Sequence, residues 1–345
     1  LLLALSGGFI LMLVRDYNQD RVVDLGLAAV ALLSYAMAQS MLVTAVTAYV
    51  ATRRGYTPPP MPQIPKAKTV ALIPAYNEAG RVGKVVEEAR KYVDLVIVAD
   101  DGSRDATAEE AQKAGALVVR HPTNMGKGAA VRTLIKAAIE AEAQRAVMLD
   151  ADGQHDPRDI PKFLKALETA DHVIGYRFNN TKMPPIRRLG YKALAAMHRL
   201  LIDDVKDPFN GYRAFSATAL KKLDTEFDPS YGVEIEINKT LKHLKKTYVD
   251  TTITYGEKTS KQNFVTQGLN LAWTIAWVWL TTNPTTTATL GIMSMATSAA
   301  LFIHTSIIFN TTRYIRLTYT ALSLILETVA MILIAIAITT ILTRK

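Results

Sequence analysis

The chain has 345 residues, 40 Lys and Arg against 31 Asp and Glu, a net charge of +9 and 49% hydrophobic residues. It contains no cysteine, which excludes a thiolate nucleophile, an iron–sulfur cluster, a zinc–thiolate site and a disulfide-stapled module. A mean hydropathy of +0.12 beside 21% charge excludes a disordered chain and reflects an uneven spread: both ends are nearly pure hydrocarbon and the middle is ordinary globular sequence.

Residues 1–52 read as a transmembrane hairpin. Leu1 to Val14 is apolar and uncharged, with neither Met nor a basic flank ahead of it, so it reads as the truncated start of a membrane helix and not as a signal peptide. After a polar turn, Leu25 to Val50 is long enough to cross about 30 Å of hydrocarbon. Residues 53–67 form a stiff linker around Pro58-Pro59-Pro60. Arg53, Arg54, Lys66 and Lys68 place this side, and the globular domain, in the cytoplasm.

Residues 68–262 alternate in type. Strands are predicted over 69–73, 95–99, 116–120 and 146–149, and helices over 79–92, 106–114 and 129–142. Strands separated by helical segments imply βαβ units, a mostly parallel sheet, and polar loops gathered at the strand C-termini where such sheets bind ligands. A further helix is predicted over 184–202. There Ile186, Leu189, Ala193, Leu194, Met197 and Leu201 recur at helical spacing among Arg187, Arg188, Lys192 and Arg199. Such a basic amphipathic helix can rest on a membrane surface; an ordinary surface helix with a core face is the alternative.

Residues 263–345 read as C-terminal transmembrane helices, with apolar stretches at 265–282, 286–309 and 317–342. Trp273, Trp277 and Trp279 crowd the first stretch, so it either crosses or lies in the interface. Five crossings are expected, with four plus an interfacial helix as the alternative. His304 and Glu327 are ionisable groups at hydrocarbon depth, where such groups are functional by default unless they pair with each other or face other helices.

Three predicted strand ends deliver polar groups to one edge: Pro74-Ala-Tyr76-Asn77-Glu78, Asp100-Asp101-Gly102-Ser103 and Asp150-Ala-Asp152-Gly-Gln154-His155. Asp105 and Thr107 look like helix caps. Acidic groups gathered on successive strand ends repel one another unless a cation or hydrogen-bond donors offset the charge. Asp150 and Asp152, two residues apart on an extended segment, point to the same side and suit Mg²⁺ or Mn²⁺ holding a diphosphate. His155 is either a further ligand or a loop residue. Asn124-Met-Gly126-Lys127-Gly128 adds a basic loop before a helix, suited to a phosphate or a base.

The blocks Ile73-Pro-Ala-Tyr-Asn-Glu78, Ala99-Asp-Asp-Gly-Ser-Arg-Asp-Ala-Thr107, Asn124-Met-Gly-Lys-Gly128, Leu149-Asp-Ala-Asp-Gly-Gln-His-Asp-Pro157, Gly175-Tyr-Arg-Phe178 and Asp207-Pro-Phe-Asn-Gly-Tyr-Arg213 follow in order. With them, residues 68–260 resemble the GT-A glycosyltransferases of the large inverting family that includes dolichyl-phosphate mannose synthase and polyprenyl-phosphate glucosyltransferases. The resemblance implies a GT-A α/β domain that moves a hexose from a nucleotide sugar, GDP-mannose or UDP-glucose, to dolichyl or polyprenyl phosphate at a bilayer, with no nucleic acid involved. It implies that Pro74, Tyr76, Glu78, Asp100 and Asp101 hold the nucleoside. Asp150, Asp152 and Gln154 would hold Mg²⁺ or Mn²⁺ on the diphosphate, and Arg177 with Arg187 or Arg188 would receive the lipid phosphate. Where the family clamps the diphosphate with a Tyr–Arg–Gly–Ser–Lys-like block, this chain reads Tyr255-Gly-Glu-Lys258-Thr-Ser260-Lys261. Lys258 or Lys261 must therefore replace an arginine, without its bidentate fork.

A phosphate monoester is already anionic near neutral pH, whereas a sugar hydroxyl needs a base; Asp207 and Glu234 are the candidates should a hydroxyl be the acceptor, as in polysaccharide or glycolipid synthesis. A processive polysaccharide synthase would also carry a Gln-x-x-Arg-Trp block, and the sequence has none. A haloacid-dehalogenase-type phosphatase would place Asp150 at an early strand, yet three βα units precede it. A catalytically silent scaffold would have no need of the Asp150/Asp152 pair.

Overall fold

The computed structural model describes residues 25–52, 59–177, 185–227, 232–251, 264–313 and 317–343, with the single positions 12, 15 and 19. A 28-residue helix, α1 (Leu25–Thr52), precedes the sheet-forming part of the chain. Strands and helices then alternate through β1 (Thr69–Ala75), α2 (Val82–Ala89), β2 (Leu95–Asp100), α3 (Thr107–Lys113), β3 (Leu117–Arg120), α4 (Lys127–Glu140), β4 (Arg145–Met148) and α5 (Ile160–Ala166). The order becomes less regular in β5 (His172–Tyr176), α6 (Pro185–Leu201), β6 (Arg213–Ser216), α7 (Ala217–Glu226), α8 (Val233–Thr240) and β7 (Lys246–Asp250). Three long helices follow: α9 (Phe264–Thr282), α10 (Pro284–Thr312) and α11 (Leu317–Thr343). Contacts divide the chain into two units, Tyr56–Val278 and a helical unit drawn from both chain ends, Leu1–Gly55 with Trp279–Lys345.

In the first unit seven strands form one sheet in the order β3-β2-β1-β4-β6-β5-β7. β3, β2, β1 and β4 run parallel, as their apolar runs predict. β6 is antiparallel to both β4 and β5, and β5 pairs parallel with β7. β1 is buried along its whole length, as a strand covered on both faces must be. Its side chains alternate between two cores. Val70 and Leu72 join Leu134, Ile135, Phe215 and Leu223 on one face; Ala71 and Ile73 join Val82, Val86, Ile160 and Phe163 on the other. With helices on both sides, the parallel strands leave only their C-terminal ends for polar business.

β5, β6 and β7 went unpredicted as strands. They are four or five residues long, and their inward positions include His172 and Arg213, both buried, so no apolar alternation announces them. The helix at 184–202 is present as α6, with Leu189 and Leu200 exposed.

Pro284–Thr312 and Thr318–Leu342 are long and apolar enough to cross a membrane, and Ile292, Met293, Phe302 and Ile303 on α10 lie mostly exposed. Spans at both ends were expected; the two helices that meet this test among the described residues are both C-terminal. Small residues line the α10–α11 seam. Ser294 Oγ donates to Leu326 O at 2.7 Å, Ser298 and Ser323 exchange hydroxyl-to-carbonyl bonds of 2.8 and 3.0 Å, and a Cβ on Gly291 would come within 2.8 Å of Ile334. Close seams of this kind hold apolar helices together where burial gives no drive. Glu327 and His304 have separate partners: Tyr35 Oη of α1 lies 3.5 Å from Glu327 Oε2, and His304 meets Tyr319 edge-on.

Candidate active site

The ends of β1, β2 and β4 open on one cavity of about 350 Å³. Pro74, Tyr76 and Glu78 reach it from β1, Asp101 from β2, Lys127 from the first turn of α4, and Asp150 and Asp152 from the turn after β4. A second cavity, of about 410 Å³, shares Asp152 and takes Arg81, Lys84 and Arg158 into its wall.

The 77–80 loop is built by side chains from the α3 side. Asn77 adopts the left-handed conformation (φ 55°) that asparagine tolerates better than most residues. The N–H groups of Asn77, Glu78, Ala79 and Gly80 donate to Ser103 Oγ, Thr107 Oγ1, Asp105 Oδ2 and Glu110 Oε2 at 2.9, 2.7, 3.2 and 2.6 Å. Asp105 and Thr107, expected as helix caps, are turned instead to this loop. Ala106 occupies the N-cap of α3, and although Asp105 accepts from the Thr107 N–H, the pair mainly fixes the loop carrying Glu78.

The acidic pair after β2 divides. Asp100 is fully buried, accepts the Ser103 N–H at 3.1 Å, pairs with Arg120 at 3.1 Å and does not line the cavity. Asp101 lines it, but its oxygens accept the N–H groups of Met125 and Gly126 at 2.9 and 2.7 Å and lie 2.7 Å from His121 Nδ1. Burial pushes the Asp101 carboxyl up; His121 and the two N–H groups outweigh it and hold the group below the usual carboxylate range. Asp101 thus shapes the 124–126 loop, with His121 fixed behind it by Thr133 Oγ1 at 3.0 Å. His121 lies outside the quoted sequence blocks, and no local pattern gave a sign of this task.

Asp150 is surrounded. Lys127 Nζ lies 2.8 Å from its Oδ1 and 3.0 Å from Glu234 Oε1, so one ammonium bridges two carboxylates. Its Oδ2 lies 3.7 Å from His155 Nδ1 and occupies space that Gly211 leaves open, since a Cβ there would stand 2.9 Å away. Burial alone would raise the Asp150 carboxyl, but Lys127 and then His155 hold it at about 2. Burial pushes His155 down despite Asp150 and Asp152. The Asp150 backbone N–H donates to His155 Nδ1 at 3.2 Å, a bond that suits a neutral ring. Asp152 keeps a local bond from the Gln154 N–H at 2.9 Å and faces the cavity, whereas Gln154 lines neither cavity.

Beside β5, Arg177 meets the fully buried Asp207 through Nε and Nη2 at 2.9 Å each. Tyr191 Oη of α6 donates to Asp207 Oδ1 at 2.5 Å, and the Arg177 guanidinium stands 5.5 Å from the Tyr191 ring centre. Arg213, fully buried, fixes the turn that carries Asp207 and Gly211 by donating to Asn210 O, Pro208 O and Asn238 Oδ1 at 2.8, 2.9 and 2.6 Å. Arg213 closes one of the quoted blocks, yet its burial was not legible there. The side chains of Arg187 and Arg188, and Lys258 and Lys261 altogether, lie outside the described residues.

Residues 70–224 match the model of glycosyl transferase family 2. The chain is 35% identical over 180 residues to the UDP-N-acetylglucosamine–dolichyl-phosphate N-acetylglucosaminyltransferase of Methanococcus voltae, covering 45% of this chain and 72% of that protein. This chain belongs to glycosyl transferase family 2. An uncharacterized protein of Methanocaldococcus jannaschii is 38% identical over 47% of this chain and 70% of its own length. The undecaprenyl-phosphate mannosyltransferase of Micrococcus luteus is 29% identical over 59% of this chain and 89% of its own. The sheet of this family-2 protein, mostly parallel with one antiparallel strand, is GT-A-like.

The donor chemistry of the family-2 site fits a divalent cation. Burial raises the Glu78 carboxyl; Arg81 opposes this, and Asp152, Asp105 and Asp150 raise it further, so negative charge concentrates at the cavity. Among the described residues no three His, Asp or Glu side chains converge into a cage. Asp150 and Asp152 would thus be the protein ligands and diphosphate and water the others, a division that suits Mg²⁺ or Mn²⁺.

Proposed function

We propose that the chain is a membrane-bound inverting glycosyltransferase that moves one hexose from a nucleotide sugar to dolichyl or polyprenyl phosphate. One observation carries the choice of acceptor: the two carboxylates that would serve as base for a hydroxyl are both committed to cations. Asp207 is buried against Arg177 and Tyr191. Glu234 is paired with Lys127, which outweighs burial and holds its carboxyl below the usual range. A carboxylate so held is a poor base, and a phosphate acceptor needs none. The relatives named for dolichyl and undecaprenyl phosphate support the same reading.

In this reading the nucleoside lies along Pro74, Tyr76 and Glu78, with Asp101 keeping the 124–126 loop closed over it. A lipid phosphate oxygen forms the new bond to the anomeric carbon as the bond to the diphosphate breaks on the opposite face, so configuration inverts. Asp150 and Asp152 would hold Mg²⁺ or Mn²⁺, which would supply charge neutralisation for the diphosphate. Arg177 receives the acceptor phosphate in an orientation set by Asp207. That carboxylate offsets part of its charge, so Arg187 or Arg188 would be needed to complete the cradle. Exposed Leu189 and Leu200 let α6 rest on the bilayer that supplies the lipid, and α10 and α11 are long and apolar enough to cross it.

The test gives the purified chain Mn²⁺, a polyprenyl phosphate, and radiolabelled GDP-mannose, UDP-glucose or UDP-N-acetylglucosamine in parallel. Label entering the organic phase from one preferred donor, and stopped by EDTA, is the expected result. Free sugar or a long polymer in its place would overturn the reading.

A further inference from the structure

We infer that Lys127 and Glu234 form a displaceable latch on Asp150, which keeps divalent cation off the site until a nucleoside diphosphate arrives. The inference rests on the metal assignment above and extends it to the order of binding. Lys127 Nζ stands 2.8 Å from Asp150 Oδ1, closer than to Glu234 at 3.0 Å, and so takes the cavity-side oxygen that a cation would need. The other oxygen is turned toward His155 and Gly211. An ammonium and a divalent ion on the same carboxylate oxygen would repel each other strongly at that spacing. Cation binding to the free protein must therefore displace Lys127.

The structure gives Lys127 somewhere to go. It is the first residue of α4, it follows Gly126 at φ +94° with nothing within 4 Å of where a Cβ would lie, and its side chain is 41% exposed. Glu234, in the first turn of α8, keeps a hold on the ammonium as it leaves Asp150. A diphosphate then offers Lys127 a second anionic partner, and Asp150 becomes available to the cation. Cation and nucleotide must each strengthen the binding of the other, since coupling between two ligands is reciprocal.

The latch is tested by Mn²⁺ titration of the full chain, following the free-ion paramagnetic resonance signal with and without UDP or GDP and with protein-free nucleotide controls. The wild type should bind Mn²⁺ weakly alone and roughly tenfold or more tightly with nucleotide, the scale expected when a charged hydrogen bond no longer has to be broken. Lys127→Gln should bind Mn²⁺ alone about tenfold better than wild type, and the gain on adding nucleotide should shrink by the same factor, the remainder coming from the diphosphate oxygens themselves. Glu234→Gln, which leaves the ammonium to Asp150 alone, should weaken Mn²⁺ binding without nucleotide. If wild type binds Mn²⁺ with nucleotide but Lys127→Gln gains no affinity without it, the latch is wrong and the metal site stands. If no protein binds Mn²⁺ even with UDP or GDP, both fall.

Discussion

Asp207 accepts two parallel hydrogen bonds of 2.9 Å from Arg177 while remaining wholly out of contact with solvent. The guanidinium is thereby aimed before any acceptor arrives, and Tyr191 on the same carboxylate ties α6 to that aim. Arg177→Ala should raise the KM for lipid phosphate by roughly ten- to a hundredfold, the value of a charged hydrogen bond, and leave the KM for nucleotide sugar nearly unchanged. Steady-state kinetics with each substrate varied in turn decides it, and a change confined to the nucleotide sugar contradicts the acceptor role.

Asp152 offers a cleaner probe of the metal assignment than Asp150. It accepts a local hydrogen bond from the Gln154 N–H, whereas Asp150 also neutralises Lys127. Asp152→Asn should abolish transfer with little change in melting temperature. Normal turnover in that variant removes Asp152 from the metal site.

The parallel half of the fold was open to sequence reading because β1, β2 and β4 are apolar runs ended by acids, and period and punctuation coincide there. The second half was not. Arg213 and His172 sit on buried strand positions, and only tertiary partners such as Asn238 and Pro208 make that placement tolerable. Asp150 and Asp152 were readable as a pair from their spacing. The bridge from Lys127 to Glu234 spans 107 positions, and no local pattern carries such a contact. Asp100 and Asp101 were adjacent and equivalent in the sequence; the structure separates them by burying one behind the cavity and spending the other on the 124–126 loop.

His198 makes the globular unit sensitive to acid. It is fully buried, its Nδ1 faces Asp203 O at 3.0 Å and its Nε2 faces the Asn238 amide nitrogen at 3.1 Å, an arrangement made for the neutral ring. Burial, with help from Arg213 and Lys246, pushes its pKa from 6.5 to about 4. The unfolded chain takes up a proton that the folded chain refuses, so stability is intact above pH 6.5 and declines as pH falls toward 4. The slope is about 1.4 kcal/mol per pH unit from this residue. Thermal melting between pH 7 and 4 should show the decline, and His198→Gln should flatten it relative to wild type. An unchanged slope in the variant contradicts the assignment.

Gly211 sets the position of Asp150. A Cβ there would come within 2.9 Å of Asp150 Oδ2, at the end of a side chain that can swing away. Gly211→Ala should cost little melting temperature but lower kcat roughly tenfold or more, as misplacement by about 1 Å does in aligned sites. Full activity would mean that the observed Asp150 position is not the one used in catalysis.

The central claim is that the nucleophile is a phosphate, and it is tested most directly by offering the same polyprenyl chain in two forms. Purified protein is given its preferred labelled nucleotide sugar with either polyprenyl phosphate or the matching polyprenol. The account predicts labelled lipid from the phosphate alone, because Asp207 and Glu234, the two carboxylates that would serve as base for a hydroxyl, are bound to cations. Equal transfer to the polyprenol would contradict it.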